Sequence, residues 1–357
     1  MSKFGRTRYR PLMRRRLWFL AFAAACGGST PPPVSPLPET QPVVATEPAP
    51  PVEPAEVPEP PVGPLDVTVP AAAIKLTLVS AGKGTKAPLR YAPKVGETQL
   101  VEVTMDFTQK HTAPAELGGS GQAGSPTIVL RGAAATSAVD AAGAASYVLT
   151  VTGVDARDVP GAPADTSVPA EQLREALQSA IGMTLAGQLA ADGTPAPIVM
   201  HVDKGDSLAR QVMDMVQLSM PRWPPLPKEP IGVGASWKTS EDTSVLGKLP
   251  VTIVTTYKLV ARKGATWTIT GAIAISGADQ QVDKGSISGI KGAGTSEIKL
   301  AAGALYPTIK AAQHTDFVAS EAGQSIQLSL HTSGAITAPA PTPTAAPVPT
   351  AAPTPTW

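Results

Sequence analysis

The four histidines of this 357-residue chain, His111, His201, His314 and His331, are the side chains best suited to proton transfer near neutral pH. Two of them share a short pattern, His201-x-Asp203 and His314-x-Asp316. Both patterns lie in stretches that read as strand, where residues i and i+2 point to the same face. Each aspartate is then placed to orient its imidazole for general-base work, or to share a weakly held metal. Solvated polar pairs at strand ends give the same pattern without any chemistry. The four histidines show no pair at the spacing of a zinc site, so neither a metal nor a cofactor is expected.

Other catalytic patterns fail on a single residue each. Gly232 followed five places later by Trp237-Lys238-Thr239 has the outline of a phosphate loop. The second glycine is replaced by the bulkiest side chain, and the backbone amides cannot curl around a phosphate there. Ser80-x-x-Lys83 matches the nucleophile pair of penicillin-recognising enzymes, but a chain without asparagine cannot supply their Ser-Asp-Asn element. Paired carboxylates such as Glu241-Asp242 read as turn residues. The reading is therefore a protein without a catalytic centre, and the alternative is a hydrolase of the cell envelope built on one of the His-x-Asp pairs.

The single cysteine, Cys26, stands where an apolar run meets proline. Before it lie seven cations and no acid (Lys3, Arg6, Arg8, Arg10, Arg14, Arg15, Arg16), then nine apolar residues, Leu17 to Ala25. Basic stretch, short apolar run and small residues form the three-part order of an export signal. As a helix the run spans about 14 Å, against a bilayer core of about 30 Å, too short to cross and remain. Two kinds of cleavage fit, an ordinary cut before Cys26 or a lipoprotein cut that leaves Cys26 acylated. Without the signal the rest carries 22 basic against 28 acidic groups, which excludes the basic footprint of a nucleic-acid binder.

Both ends of the chain are low in complexity. Residues 30–64 hold 14 prolines and five glutamates with no lysine or arginine, and 338–357 are a Pro/Ala/Thr tract. Such segments bury too little apolar surface to offset ordering, so a disordered stalk over 26–65 and a disordered tail over 338–357 are expected. At about 3.1 Å per residue the stalk reaches on the order of 100 Å.

Between them, 66–337 reads as one α+β body, mainly antiparallel β, with a division into two similar halves (66–220 and 245–337) as an open alternative. Strands are predicted over 73–80, 98–107, 126–132, 145–156, 251–260, 265–276, 295–303, 305–317 and 325–333. In 98–107 Val101, Val103, Met105 and Phe107 alternate with Leu100, Glu102, Thr104 and Asp106, the pattern of a sheet with one solvated face. Two interrupting helices are predicted. One over 169–181 opens at Pro169, with Leu173, Leu177 and Ile181 inward; one over 206–220 is capped by Asp206, with Leu208, Val212, Met215 and Val216 inward. The expected architecture is a curved sheet or half-barrel.

A proline- and glycine-rich stretch divides the halves, "LPKEPIGVGASW", with Pro227, Pro230, Gly232, Gly234 and Trp237. The prolines force extended backbone, the glycines allow close approach, and Trp237 reads as a buried plug. Together with the lipobox-like "AAAC" ending at Cys26, the Leu89-x-Tyr91 pair and the stretch "ADGTPAPIV", it resembles functionally uncharacterised exported bacterial lipoproteins. That resemblance implies a chain exported to the bacterial envelope and held on a membrane, the outer one, by a lipid on Cys26. Its expected role is a non-catalytic binding or scaffold module whose partner is an apolar small molecule or an envelope protein.

Overall fold

The structure, a computed structural model, describes residues 63–159, 168–219, 223–245, 249–282, 285–338 and 342–343. The predicted signal over 1–25, Cys26, the stalk up to 62 and nearly all of the tail lie outside the described residues. Gly63 onward forms one compact unit.

The elements in chain order are β1 (Leu65–Val69), β2 (Ile74–Ser80), β3 (Lys83–Ala87), β4 (Glu97–Thr112), β5 (Gly121–Gly124), β6 (Thr127–Val139) and β7 (Ala145–Arg157). Helix α1 (Ala170–Leu177), β8 (Thr184–Leu189), β9 (Ile198–Val202), α2 (Ser207–Ser219), β10 (Ile231–Val233) and β11 (Ser236–Val245) follow. The chain continues through β12 (Leu249–Lys263), β13 (Thr266–Ser276), β14 (Gln280–Val282), β15 (Gly285–Ala301), β16 (Thr308–Glu321), β17 (Gln324–Thr337) and β18 (Thr342–Pro343). One large antiparallel sheet runs β1-β9-β8-β7-β6-β4-β17-β16-β15-β13-β12-β11-β2, with β5, β14 and β18 paired to its members and β3 with β10 as a separate ribbon. The fold is α+β and mainly antiparallel β, a curved sheet that is not closed into a barrel.

Its curvature follows from the connection of its two edges. Laid flat, thirteen strands would span on the order of 60 Å. Yet the edge strands β1 and β2 are joined by only the four residues 70–73, which reach at most about 18 Å. The sheet must roll until its edges face one another. Twelve antiparallel steps separate β1 from β2, so both run in the same sense. Residues 65–80 are in effect one extended run whose first part pairs with β9 (Leu65 opposite Val202) and whose second part pairs with β11 (Trp237 opposite Leu78). Pro70, which lacks an N–H, stands at the change of partner.

The inner face is built in rows across the strands. Ile269, Ile298, Ile309, Ile336 and Val103 are consecutive cross-strand neighbours on β13, β15, β16, β17 and β4. This row joins the main core, which α1 and α2 cover with Leu177, Ala209, Val212, Met213 and Val216. A second cluster gathers Leu249, Val251, Ile275, Ile290, Phe317 and Leu330. The next row toward it is made of small side chains, Gly271, Ser296, Ala311 and Gly334, ending on Met105. The outer face carries Leu100, Glu102, Thr104 and Asp106, and Leu100 is 62 % exposed.

Each helix departs from expectation at one exposed position, Leu208 in α2 and Ile181 after α1. Asp206 caps α2 through its Oδ1, which accepts the Ala209 N–H at 2.7 Å. That start turns Ala209, Val212, Met213 and Val216 inward, and Leu208 is exposed rather than packed. The small Ala209 faces the core in its place. Helix α1 ends at Leu177, and a 3-10 turn over Gln178–Ala180 leads to Gly182 at φ 89°, which leaves Ile181 exposed. Arg174 pins α1 to β7, donating to Asp155 Oδ1 at 2.9 Å and to the Ala156 carbonyl at 2.6 Å.

Strand β11 fills a stretch expected to be mostly connection. Its inner face holds Trp237 and Thr239, both buried, and then Glu241, so its alternation is faint. Strand β15 begins ten residues before the predicted 295, in glycine-rich sequence. A Cβ on Gly292 would meet the His314 carbonyl, and one on Gly294 would stand 2.6 Å from the Ala312 carbonyl. The close approach of β16 requires glycine there, against ordinary strand preference.

Two substitutions test the assignment of faces. Ile298→Ala should cost about 2–5 kcal/mol in denaturant unfolding, from lost transfer energy and the cavity left behind. Leu100→Lys should stay within about 0.5 kcal/mol, as outward positions do. Equal effects would mean the faces are misassigned.

Candidate functional site

The stretch Trp223–Pro227 is buried throughout and contains prolines at 224, 225 and 227. Extended proline-rich backbone makes no internal hydrogen bonds, and its buried carbonyls still need donors. Side chains from distant strands supply them. The Tyr91 hydroxyl donates to the Pro224 carbonyl at 3.2 Å, and the Trp237 indole N–H donates to that of Pro225 at 2.9 Å. Arg90 donates to the Pro227 carbonyl at 2.7 Å and to that of Lys228 at 2.5 Å. In the other direction Trp223 donates to the Leu305 carbonyl, and the Leu226 N–H donates to that of Asp192, each at 2.7 Å.

Aromatic rings pack the loop from two sides. Trp237 is fully buried and stacks on Tyr257 at 5.5 Å between centroids. Trp223 lies 5.3 Å from Tyr147 and 4.8 Å from Tyr306. Burial drives the Tyr91 and Tyr306 hydroxyls well above the usual tyrosine range, so both stay protonated and able to donate. The same desolvation pushes Tyr257 up to about 12.

The motif residues take distinct places around this loop. Pro227 is inside it with its carbonyl bound, whereas Pro230 is exposed just before β10. A Cβ on Gly232 would run into the Lys83 carbonyl, which holds β3 against β10. Gly234 adopts φ 85° and donates to the Leu259 carbonyl at 2.8 Å. Leu89-x-Tyr91 and "ADGTPAPIV" meet at the same place: the Tyr91 N–H donates to the Ala191 carbonyl at 2.9 Å. Gly193, at φ 76°, lies so close that a Cβ would be 2.8 Å from the Pro224 carbonyl. Three stretches far apart in sequence thus converge on one loop.

Beside it lies a cavity of about 350 Å³ at the seam of the sheet. One wall is Ile74 and Leu76 of β2, and the other is Asp192, Thr194 and Pro195 from the β8–β9 turn. Pro225 and Leu226 form the floor, and Lys228 and Glu229 stand at the rim. The floor is held from below by Trp237, which donates to the Pro225 carbonyl, and its neighbour Pro224 by Tyr91. The sequence marks the loop through its prolines and the turn through "ADGTPAPIV", but gives no sign that Ile74 and Leu76 of β2 meet that turn across the seam.

The His-x-Asp pairs lie elsewhere, on the outer face, and the fold does not bring the two pairs together. His201 on β9 has its Nδ1 2.8 Å from Asp66 Oδ1 and its Nε2 3.2 Å from Asp203 Oδ1. Asp66 first, then Asp203, raise the His201 pKa above the ordinary 6.5. An imidazole with both nitrogens facing carboxylates is stabilised as a cation rather than poised as a base. His314 stands opposite His331 in the β16–β17 hairpin, their rings stacked with centroids 5.9 Å apart, and Asp316 faces Ser329 one row along. The two histidines are 17 residues apart, a spacing that suggests no pairing until the hairpin register is known. No group of three or more His, Cys, Asp or Glu side chains able to hold a metal occurs among the described residues.

Two variants report on this arrangement. Trp237→Phe removes the donor from the buried Pro225 carbonyl and should cost about 1–3 kcal/mol of unfolding free energy. His201→Ala should lower the melting temperature at pH below 6.5, with the deficit fading as pH rises above that value. The sign follows from a raised folded-state pKa, whose stabilisation is present while the imidazole is charged in both states and lost on deprotonation. A melting profile against pH, wild type beside variant, reads it directly. No protein-family model matches the chain, and no curated protein matches it in sequence.

Proposed function

We propose that this chain is an exported lipoprotein of the bacterial envelope, tethered to a membrane through acylated Cys26, whose folded body is a non-catalytic binding module for an apolar ligand with a polar end. The observation that carries the binding reading is the seam cavity, apolar at its floor and edged by Asp192, Thr194, Lys228 and Glu229. Its volume of about 350 Å³ falls in the range of small-molecule sites, which commonly join an apolar lining to a few polar groups. A floor wired by side-chain hydrogen bonds favours binding, because little ordering remains to be done when the ligand enters. The tether rests on the sequence: basic stretch, apolar run and the lone Cys26, followed by a proline-rich stalk long enough to hold the body clear of the surface. Three acyl chains, at about 0.8 kcal/mol per buried methylene, would make that attachment effectively permanent. An envelope hydrolase built on His201 and Asp203 is less well supported, since the ring nitrogens of His201 are both turned to carboxylates.

Mass spectrometry of the full chain extracted from membranes tests both parts. The expected result is an N-terminus at Cys26 carrying acyl chains, with a co-extracted amphiphile released on denaturation. Leu76→Trp, which fills the cavity, should abolish the co-extracted molecule and leave the N-terminus unchanged. An unmodified chain beginning elsewhere overturns the anchor, and full retention of the ligand by Leu76→Trp overturns the cavity as its site.

A further inference from the structure

We propose that His314 and His331 form a two-imidazole site on the outer face of the sheet for a divalent late first-row cation, Cu(II) foremost. The two residues are direct cross-strand partners in the β16–β17 hairpin. Their positions alternate with the inward Thr315, Leu330 and Thr332, so both rings project from the outer face. The rings stack with centroids 5.9 Å apart and planes inclined by 28°. An ion about 2.0–2.1 Å from one nitrogen of each ring sets the centroids on the order of 5 Å apart, which a small turn about the side-chain torsions achieves. Cross-strand partners on a regular ladder hold that spacing through the backbone, so the pair is largely pre-positioned.

A second observation concerns which nitrogen is free. His331 Nε2 lies 3.1 Å from the Ser329 hydroxyl, its neighbour on the same face. Metal-binding histidines usually engage their second ring nitrogen in such a hydrogen bond, which fixes the tautomer and the ring plane. In the tautomer that donates Nε2–H to Ser329, the lone pair of Nδ1 is left for the ion. The surrounding charges balance: the next row reads Lys291, Asp316, Ser329, Lys110, and the row on the other side brings Asp106 beside Ser333. Neutral imidazole suits copper, nickel and zinc, and affinity for such a site peaks at Cu(II). With two protein ligands, solvent fills the remaining positions. The site is separate from the seam cavity, whose lining contains neither histidine.

The test is a Cu(II) titration of the untagged full chain in a non-chelating buffer, by calorimetry and by electron paramagnetic resonance. One site with two equatorial nitrogens is expected. Loss of an outer-sphere partner typically lowers metal affinity about 10–100-fold, and loss of a direct ligand does no less. His314→Ala and His331→Ala should therefore each weaken binding at least about tenfold and leave one coordinated nitrogen or none. Melting curves in EDTA, unchanged by either variant, establish that both remain folded. Undiminished affinity in the double variant, or an unchanged nitrogen signal, overturns the proposal, as does the absence of any binding by the wild-type chain at micromolar Cu(II).

Discussion

The rest of the structure depends on how the buried carbonyls of Trp223–Pro227 find donors. Prolines at 224, 225 and 227 cannot continue a strand in the interior, because the N–H groups that would pair it are missing. Left without partners, each buried carbonyl would cost about 1–3 kcal/mol. The fold answers with side chains, Arg90 and Tyr91 from the segment before β4 and Trp237 from β11. Because these donors are rigid or multiply bonded, they fix not only the loop but the positions of the elements that carry them. Arg90 and Tyr91 tie the segment before β4, Trp237 ties β11, and Asp192 ties the β8–β9 turn.

That network explains why the roll can leave its edges unpaired. A closed barrel removes both edges by hydrogen bonding, whereas here the run 65–80 changes partners at Pro70 and leaves β2 facing the β8–β9 turn. An unpaired seam would ordinarily open, but both of its sides are fastened to the proline loop beneath. Gly193 and Gly232 show how close the fastening is, since a side chain at either would collide with loop or ribbon backbone. The cavity exists because the two sides are held apart by the loop as firmly as they are held together by it.

Much of this was legible in the sequence, and the failures have physical causes. Alternation located β4, β6, β7, β12, β13, β16 and β17, whose inner faces carry Val, Ile, Leu and Phe against outward Thr, Lys and Glu. Alternation is silent where the inner face is small or polar, as with Thr239 and Glu241 in β11 and the glycines of β15. Both helices lie where their stripes predict, with Leu177, Val212 and Val216 inward, and only Leu208, at the edge of its stripe, and Ile181, where Gly182 turns the chain away, are exposed. The plug is marked by its prolines, Trp237 and Tyr91, but Arg90 is not, because it lies 137 residues from the carbonyl it serves. The His314–His331 pairing needed the hairpin register, which Glu321 opposite Gln324 sets around the turn at Ala322-Gly323.

Aromatic residues make up only 4 % of the chain, and their placement shows what the fold treats as scarce. Tyr91, Tyr147, Trp223, Trp237, Tyr257 and Tyr306 gather at the loop or on the rings that touch it. Tyr and Trp are the two side chains that combine large apolar area with a donor at one end, which is what a buried proline stretch requires. Tyr257 serves a further need, lying against Gly271 at the head of the row of small side chains, where a Cβ would stand 3.4 Å from its ring. The rest of that row is Ser296, Ala311 and Gly334, so aromatic bulk at the loop stands beside a thin row of small side chains. The histidine pair stands on the opposite, outer face, so an ion held there does not touch the core.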